Sequence, residues 1–186
     1  MNWLAFVPET FLIVTILALL FMTLGKDLRP SAVRVFMLVV SAALFAICIW
    51  SLQVSGSLFM DTYRVDLLSQ GFKALITLGL FLTIVLSDRP ISISPTRTIE
   101  YCLFLCTGTL GMMMLVSAAA LLVLYVSMEL SSYSLYLLTA LRKDRRNAES
   151  SVKYLIFGAA ASGVFLWGLS FVLGLSGTAS LPLLAQ

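Results

Sequence analysis

The chain has 186 residues, 60% of them apolar and 11% charged, with a mean hydropathy of +1.03, which is too hydrophobic for a water-soluble domain and describes a membrane protein. The net charge of +3 comes from short loops between apolar runs, not from a basic stripe with interleaved aromatics, so nucleic acid is excluded as a partner and the lipid bilayer is expected. The absence of histidine removes the commonest proton shuttle, metal ligand and haem ligand, and Cys48, Cys102 and Cys106 sit inside apolar runs without CxxC spacing, as free buried thiols do.

The N-terminus, MNWLAFVPET, lacks the basic region of a signal peptide and carries Pro8 and Glu9 before its hydrophobic run, so it is expected to be retained as a span. Hydropathy then predicts six transmembrane helices, at residues 10–24, 32–54, 67–86, 98–117, 121–141 and 152–173, the first extending back toward Trp3. The expected fold is an all-α integral membrane protein with one transmembrane domain over residues 1–186. Basic residues gather after the first span (Lys26, Arg29, Arg34), the third (Arg89, Arg97) and the fifth (Arg142, Lys143, Arg145, Arg146), whereas the intervening loops hold only Arg64. Lys and Arg accumulate on the cytoplasmic side, so both termini are expected on the other side.

Punctuation agrees with these limits. Pro30 and Pro90 break or redirect helices beside basic residues, and Ser55-Gly56-Ser57 is a turn signal. Trp3, Trp50, Tyr63 and Tyr101 have the amphipathic side chains that settle at headgroup level. In the sixth span the small residues from Gly158 to Gly163, followed by Gly168, predict a face for close helix packing.

Three ionisable residues within spans are candidate functional groups. In the third span, Lys73 shares a face with Ser69, Gln70 and Thr77, at −4, −3 and +4; it is either part of a polar stripe or a lysine snorkelling to the interface. In the fifth, Glu129 lies near the middle of an apolar run, where inserting a charge costs at least ~2.5 kcal/mol. Tyr125, Ser132, Tyr133 and Tyr136 fall at −4, +3, +4 and +7 from it and form a hydroxyl-bearing face able to hold water or share a proton. The alternative is a structural acid, neutral and hydrogen-bonded to a neighbouring helix. In the sixth, Lys153 lies near the cytoplasmic start with Glu149 at i−4. Glu129 is ~18 Å along the helix axis from Leu141, so it reaches Lys153 only through bridging water. Such a row of coupled groups is usable as a proton relay. Phosphate loops, nucleophile motifs, metal-ligand clusters and flavin or nicotinamide fingerprints are absent, which leaves redox chemistry to partners.

The blocks GTLGMMML (Gly108 to Leu115), MELSSYSLYLLTALRKD (Met128 to Asp144) and AESSVKYLIFGAAASGVFLWG (Ala148 to Gly168) resemble the subunit N (chain 2) family of respiratory complex I, NADH:quinone oxidoreductase. Pro8-Glu9 and Asp66 with Phe72-Lys73 are similar to the same family's N-terminal portion. The resemblance implies the N-terminal part of an antiporter-like helix bundle in which quinone reduction elsewhere drives proton translocation. By position, it implies that Glu129 is the channel acid of the fifth helix and Lys153 the lysine early in the sixth, and that Lys73 matches a family lysine. It further implies a non-redox subunit without a catalytic centre or cofactor of its own. NADH, flavin, iron–sulfur clusters and quinone would belong to partner subunits, and the partners would be antiporter-like and small membrane-arm subunits in a bacterial cytoplasmic (inner) membrane.

Two departures stand out. Ser134 occupies a position where the family pattern ELLSLPLY has proline, and the chain ends before the broken helix that carries the acid's partner lysine. The expectation is therefore a fragment, a split-gene product whose missing helices a second fragment would supply, or a degenerate member. The alternatives are a structural subunit that packs and seals an assembly, or a subunit of a related cation/proton antiporter or membrane-bound hydrogenase complex.

Overall fold

The computed structural model describes residues 3–25, 30–87, 97–141 and 145–185. A bilayer core offers no water to backbone N–H and C=O groups, so apolar segments of this length close their hydrogen bonds internally as helices. Six helices are long and apolar enough to cross a membrane: α1 (Val7–Leu24), α2 (Pro30–Trp50), α3 (Leu67–Leu86), α4 (Thr98–Val116), α5 (Leu121–Ala140) and α6 (Arg145–Ser176), with a short α7 (Leu181–Leu184) after them. The chain is an all-α integral membrane protein. A proline in the first turn of α1 starts it where no N–H is missed, and a 3₁₀ turn at Trp3–Phe6 prolongs that span toward the N-terminus. The helix of the second span stops at Trp50, four residues before the limit expected from hydropathy, and gives way to a 3₁₀ turn at Ser51–Gln53. The sixth runs longer than expected at both ends. Lys26, Arg29, Arg89, Pro90, Arg142 and Lys143 lie outside the described residues.

At the end of the bundle where the basic residues gather, two arginines close off neighbouring helices. Arg34 Nη2 donates to the Val85 carbonyl and Arg97 Nη1 to the Leu141 carbonyl, each at 3.4 Å. Cations suit these C-terminal carbonyls, which lack partners within their own helix.

The opposite end departs from expectation. Ser55-Gly56-Ser57 does not turn; Gly56 and Ser57 lie in β1 (Gly56–Leu58), which pairs antiparallel with β2 (Tyr63–Val65) in the register Gly56↔Val65, Ser57↔Arg64, Leu58↔Tyr63. The chain reverses instead through Phe59, Met60 and Asp61, three successive non-glycine residues in the left-handed region at φ 53°, 57° and 62°. Sterics oppose that conformation, and tertiary contacts hold it. The Phe59 ring meets Phe6 and Tyr63 edge-on at 5.6 and 6.5 Å, and the Thr62 hydroxyl donates to the Phe59 carbonyl at 2.7 Å.

This hairpin is laced to the α4–α5 connection: Arg64 N donates to Ser117 O at 2.8 Å and Ala119 N to Thr62 O at 2.9 Å. Leu121 N and Leu181 N tie the same connection to the segment after α6, through Ala179 O at 2.8 Å and Ala119 O at 2.9 Å. One end of the bundle is thus a hydrogen-bonded plate.

Asp66 links this plate to α3 through a capping box. Its Oδ1 accepts from Ser69 N, and Ser69 Oγ accepts from Asp66 N, both at 2.8 Å. The Ser69 backbone N–H holds the Asp66 carboxyl below the usual carboxylate range. A depressed folded-state value means the cap's stabilisation is present above the unfolded carboxyl value and is lost as pH falls through the folded one. Asp66→Ala is expected to cost ~1 kcal/mol, read as a lower unfolding temperature in detergent. Asp66→Asn should retain most of the cap and lose its acid sensitivity; an Asn variant as unstable as the Ala variant would rule the cap out.

Inside, Leu12 and Leu19 of α1, Met37 and Leu44 of α2, Leu80 of α3, and Cys102, Cys106 and Met113 of α4 form one buried apolar cluster. All three cysteines are free and buried. Helices α4 and α5 approach closely across Gly108 and Gly111, which face Ser127, Ser131 and Ser134. Helix α6 packs on α5 and leaves most of its apolar side chains exposed.

Candidate functional site

A polar group in this interior either satisfies itself along its helix or stands out. Several hydroxyls do the former: Thr15, Thr77, Thr107, Thr109 and Ser134 each donate to the carbonyl four residues back at 2.7–2.9 Å. Among the described residues, buried side-chain atoms left without a hydrogen-bond partner include both carboxylate oxygens of Glu129, Ser127 Oγ, Glu9 Oε2, Lys73 Nζ, Gln70 Nε2 and Ser117 Oγ. Such atoms are few in native proteins and mark places that water or a ligand completes. They fall into two groups.

The first surrounds Glu129, which is 6% exposed halfway along α5. Helix α6 runs antiparallel beside it. Tyr125 stacks on Phe165 at 6.3 Å, and Tyr136 meets Tyr154 edge-on at 4.7 Å. That register sets Glu129 across from Ala161, in the small-residue run. Gly158 is part of the same seam: a Cβ there would fall 1.9 Å from the Tyr136 hydroxyl, so only glycine leaves room for the ring. Of the expected hydroxyl face, Tyr136 is buried, Tyr125 and Ser132 are half-buried and Tyr133 is 48% exposed. Tyr133 stands close enough to feel the Glu129 charge, but no hydrogen bond of good geometry joins them. Lys153 is elsewhere. Its side chain is 65% exposed and paired with Glu149 on its own helix, a surface pair of the kind that contributes little.

The second group was not anticipated as a unit. Lys73 is fully buried, its Nζ 2.7 Å from Glu9 Oε1, and both side chains have 0% exposure. It therefore does not snorkel. The Tyr63 hydroxyl donates to the same Glu9 oxygen at 2.7 Å, and the Lys73 ammonium lies 5.1 Å from the centre of the Tyr63 ring. Tyr63, expected at the headgroups, is 2% exposed. Burial, then the Glu9 charge, push its phenol well above the ordinary value, so it remains a proton donor. Gln70 and Ser51 extend the cluster, with Ser51 Oγ donating to Gln70 Oε1 at 3.2 Å. The signal for Glu9 was available in the sequence. It is a carboxylate at the third position of α1, and Lys73 is at the seventh of α3; both helices enter the bundle from the hairpin end, so the two groups lie at similar depth.

Both the sequence and the fold resemble those of known proteins. Residues 118–186 match the family model described as NADH:quinone oxidoreductase/Mrp antiporter, TM. NADH-quinone oxidoreductase subunit N 2 of Syntrophobacter fumaroxidans is 41% identical over 100% of this chain and 40% of its own length. A chain in the structure of respiratory complex I from Thermus thermophilus with bound aureothin superposes with a TM-score of 0.78 at 29% identity, over 93% of this chain and 38% of that one. A chain of the membrane-bound sulfane sulfur reductase, an archaeal respiratory membrane complex, shares the fold with a TM-score of 0.83 at 22% identity, over 99% and 40%. The chain thus spans about 40% of the length of the relatives it matches. Over its whole length the six-helix membrane bundle is thus similar to part of an NADH-quinone oxidoreductase subunit N, and residues 118–186 match the NADH:quinone oxidoreductase/Mrp antiporter model.

Proposed function

We propose that the chain forms the N-terminal part of a proton-translocating membrane-arm subunit of an NADH:quinone oxidoreductase, with Glu129 as a relay group. One observation carries the reading: a carboxylate in mid-span, 6% exposed, with both oxygens lacking a hydrogen-bond partner. A purely structural acid would satisfy its oxygens within the bundle, because an unmade bond in a buried site costs ~1–3 kcal/mol. Open oxygens beside the Tyr125, Ser132, Tyr133 and Tyr136 face suit a group that exchanges a proton through water. Lys73 and Lys153 complete the relay in this reading, Lys153 with the lesser part because it is solvated. The chain holds no redox centre in this reading. Flavin, iron–sulfur clusters and quinone sit in partner subunits, and further helices, on a longer chain or a second fragment, complete the path. The basic loops face the cytoplasm of a bacterial inner membrane and both termini face away from it.

The test is Glu129→Gln in the assembled complex. Gln keeps shape and hydrogen bonding but cannot ionise, so assembly should persist while proton transfer coupled to quinone reduction falls by about 10²-fold or more, as expected for a positioned proton-transfer group. Lys153→Met should do less. Unchanged pumping with Glu129→Gln rejects the relay, and loss of assembly with either variant transfers support to a structural subunit.

A further inference from the structure

A cleft of ≈390 Å³ opens at the hairpin end of the bundle, lined by Arg64, Asp66, Ser69, Phe72, Ser117 and Leu181 among others. Its wall is the α4–α5 connection to which β2 is hydrogen-bonded, and the residue of β2 between those bonds is Tyr63. Tyr63 thus joins the two, bridged to Ala118 of the cleft wall and hydrogen-bonded to Glu9 of the buried cluster. Ser117 lines the cleft, is 2% exposed, and its Oγ has no hydrogen-bond partner. It lies near enough to Tyr63 to affect the phenol's ionisation. Beyond Tyr63 come further open polar atoms, Glu9 Oε2 and Gln70 Nε2, beside the Lys73 ammonium that pairs with Glu9 Oε1. Buried polar atoms with unmade bonds, lying inward of a cleft whose largely apolar lining includes Arg64, Asp66, Ser69 and Ser117, are the arrangement that ordered water fills.

We propose that Glu9, Lys73 and Tyr63 form a proton-exchange site distinct from Glu129, opened to the aqueous phase at the hairpin end through the Ser117 cleft. Glu9 accepts one proton on Oε2, the oxygen that neither Tyr63 nor Lys73 engages, and passes from carboxylate to acid. Lys73 keeps its charge and Tyr63 keeps its O–H directed at Oε1, so the cluster goes from neutral to singly positive, and return of the proton along the same water file restores it. The groups facing Glu9 are Lys73 from α3, Tyr63 from the hairpin and the Cys48 thiol from α2, which lies within reach of both charges. With Arg64 and Asp66 in its lining the cleft carries both charge signs, as a proton entrance shared with bulk water allows. The site deepens the translocation reading and rests on it for its use, but the exchange itself is measurable without turnover.

The experiment uses the full chain in its native complex, in two parts. Infrared difference spectra between pH values should contain a protonated-carboxyl band that disappears in Glu9→Gln and persists in Glu129→Gln. In sealed vesicles, a membrane-impermeant anionic thiosulfonate should label Ser117→Cys above the wild-type background of buried thiols from one face only, the face that carries Arg64. Absence of a Glu9-dependent band overturns the exchange site. A Ser117→Cys thiol that stays unlabelled from both faces overturns the entrance. If Ser117→Cys does not accumulate, Ala118→Cys on the same wall takes its place. Normal pumping by Glu129→Gln together with a Glu9 band removes the relay assigned to Glu129 and leaves this site standing; lost pumping without the band does the reverse.

Discussion

Lys73→Met is expected to destabilise the chain by ~3–5 kcal/mol, the range for removing one partner of a buried ion pair. The expectation follows from what remains. Glu9 has 0% exposure and its only described partners are Lys73 and Tyr63, both at the same oxygen. With the ammonium gone, a single phenolic hydrogen bond has to support a carboxylate in an apolar interior, where an uncompensated charge is expensive. Accumulation in the membrane and unfolding temperature in detergent should both fall sharply. The double variant Glu9→Gln, Lys73→Met should recover most of the loss, because a neutral amide can still accept from Tyr63 and nothing charged is stranded. Replacing both members of a buried pair is often close to neutral where breaking it is not, so the comparison isolates the pairing from the loss of lysine packing. A single variant as stable as the double would mean that Glu9 and Lys73 do not depend on each other.

The reach of sequence reasoning here divides by distance along the chain. Hydropathy and length found six spanning helices because each satisfies its own backbone, a local property. The face around Glu129 was also local: Tyr125 and Tyr136 follow from a 3.6-residue period, and both lie along the α6 seam. What the period could not give was which neighbour each face meets. Lys73 was legible as a lysine on a polar stripe, but its partner is sixty-four positions away on α1; only the pairing of two helices that enter from the same end brings it there. Tyr63 was misjudged for a related reason. An amphipathic ring at a span boundary suits the headgroups equally well, and the hairpin that turns it inward depends on Phe6 and on the α4–α5 connection. Residues 55–57 carried the turn chemistry yet lie partly in a strand, because the reversal is dictated by the packing of Phe59 and not by the most permissive residue.

Gly111→Ala is expected to loosen the whole α4–α5 seam. A Cβ at this position would lie 2.6 Å from Ser131 N, 2.9 Å from Ser127 O and 3.0 Å from Ser131 Cα. These are backbone atoms of a helix and cannot rotate aside, so the two helices must separate by several tenths of an ångström along their contact. Overpacking of this kind costs ~1–3 kcal/mol, and in a bilayer close backbone approach at small residues is itself a main source of helix association. Gly108→Ala should be milder, since its nearest neighbour is the Ser134 Cβ at 3.3 Å, and Gly163→Ala, with nothing within 4 Å, should be close to neutral. Thermal unfolding of the three variants in detergent should rank them in that order. The consequence reaches the candidate site, because Ser127 and Ser131 flank Glu129 on α5 and any shift of that helix carries the carboxylate with it. Proton transfer tolerates misplacement of ~1 Å poorly, so Gly111→Ala should reduce pumping by more than its loss of stability alone would. Equal stability of Gly111→Ala and Gly163→Ala would show that the seam has slack, and that Glu129 is positioned by α6 instead.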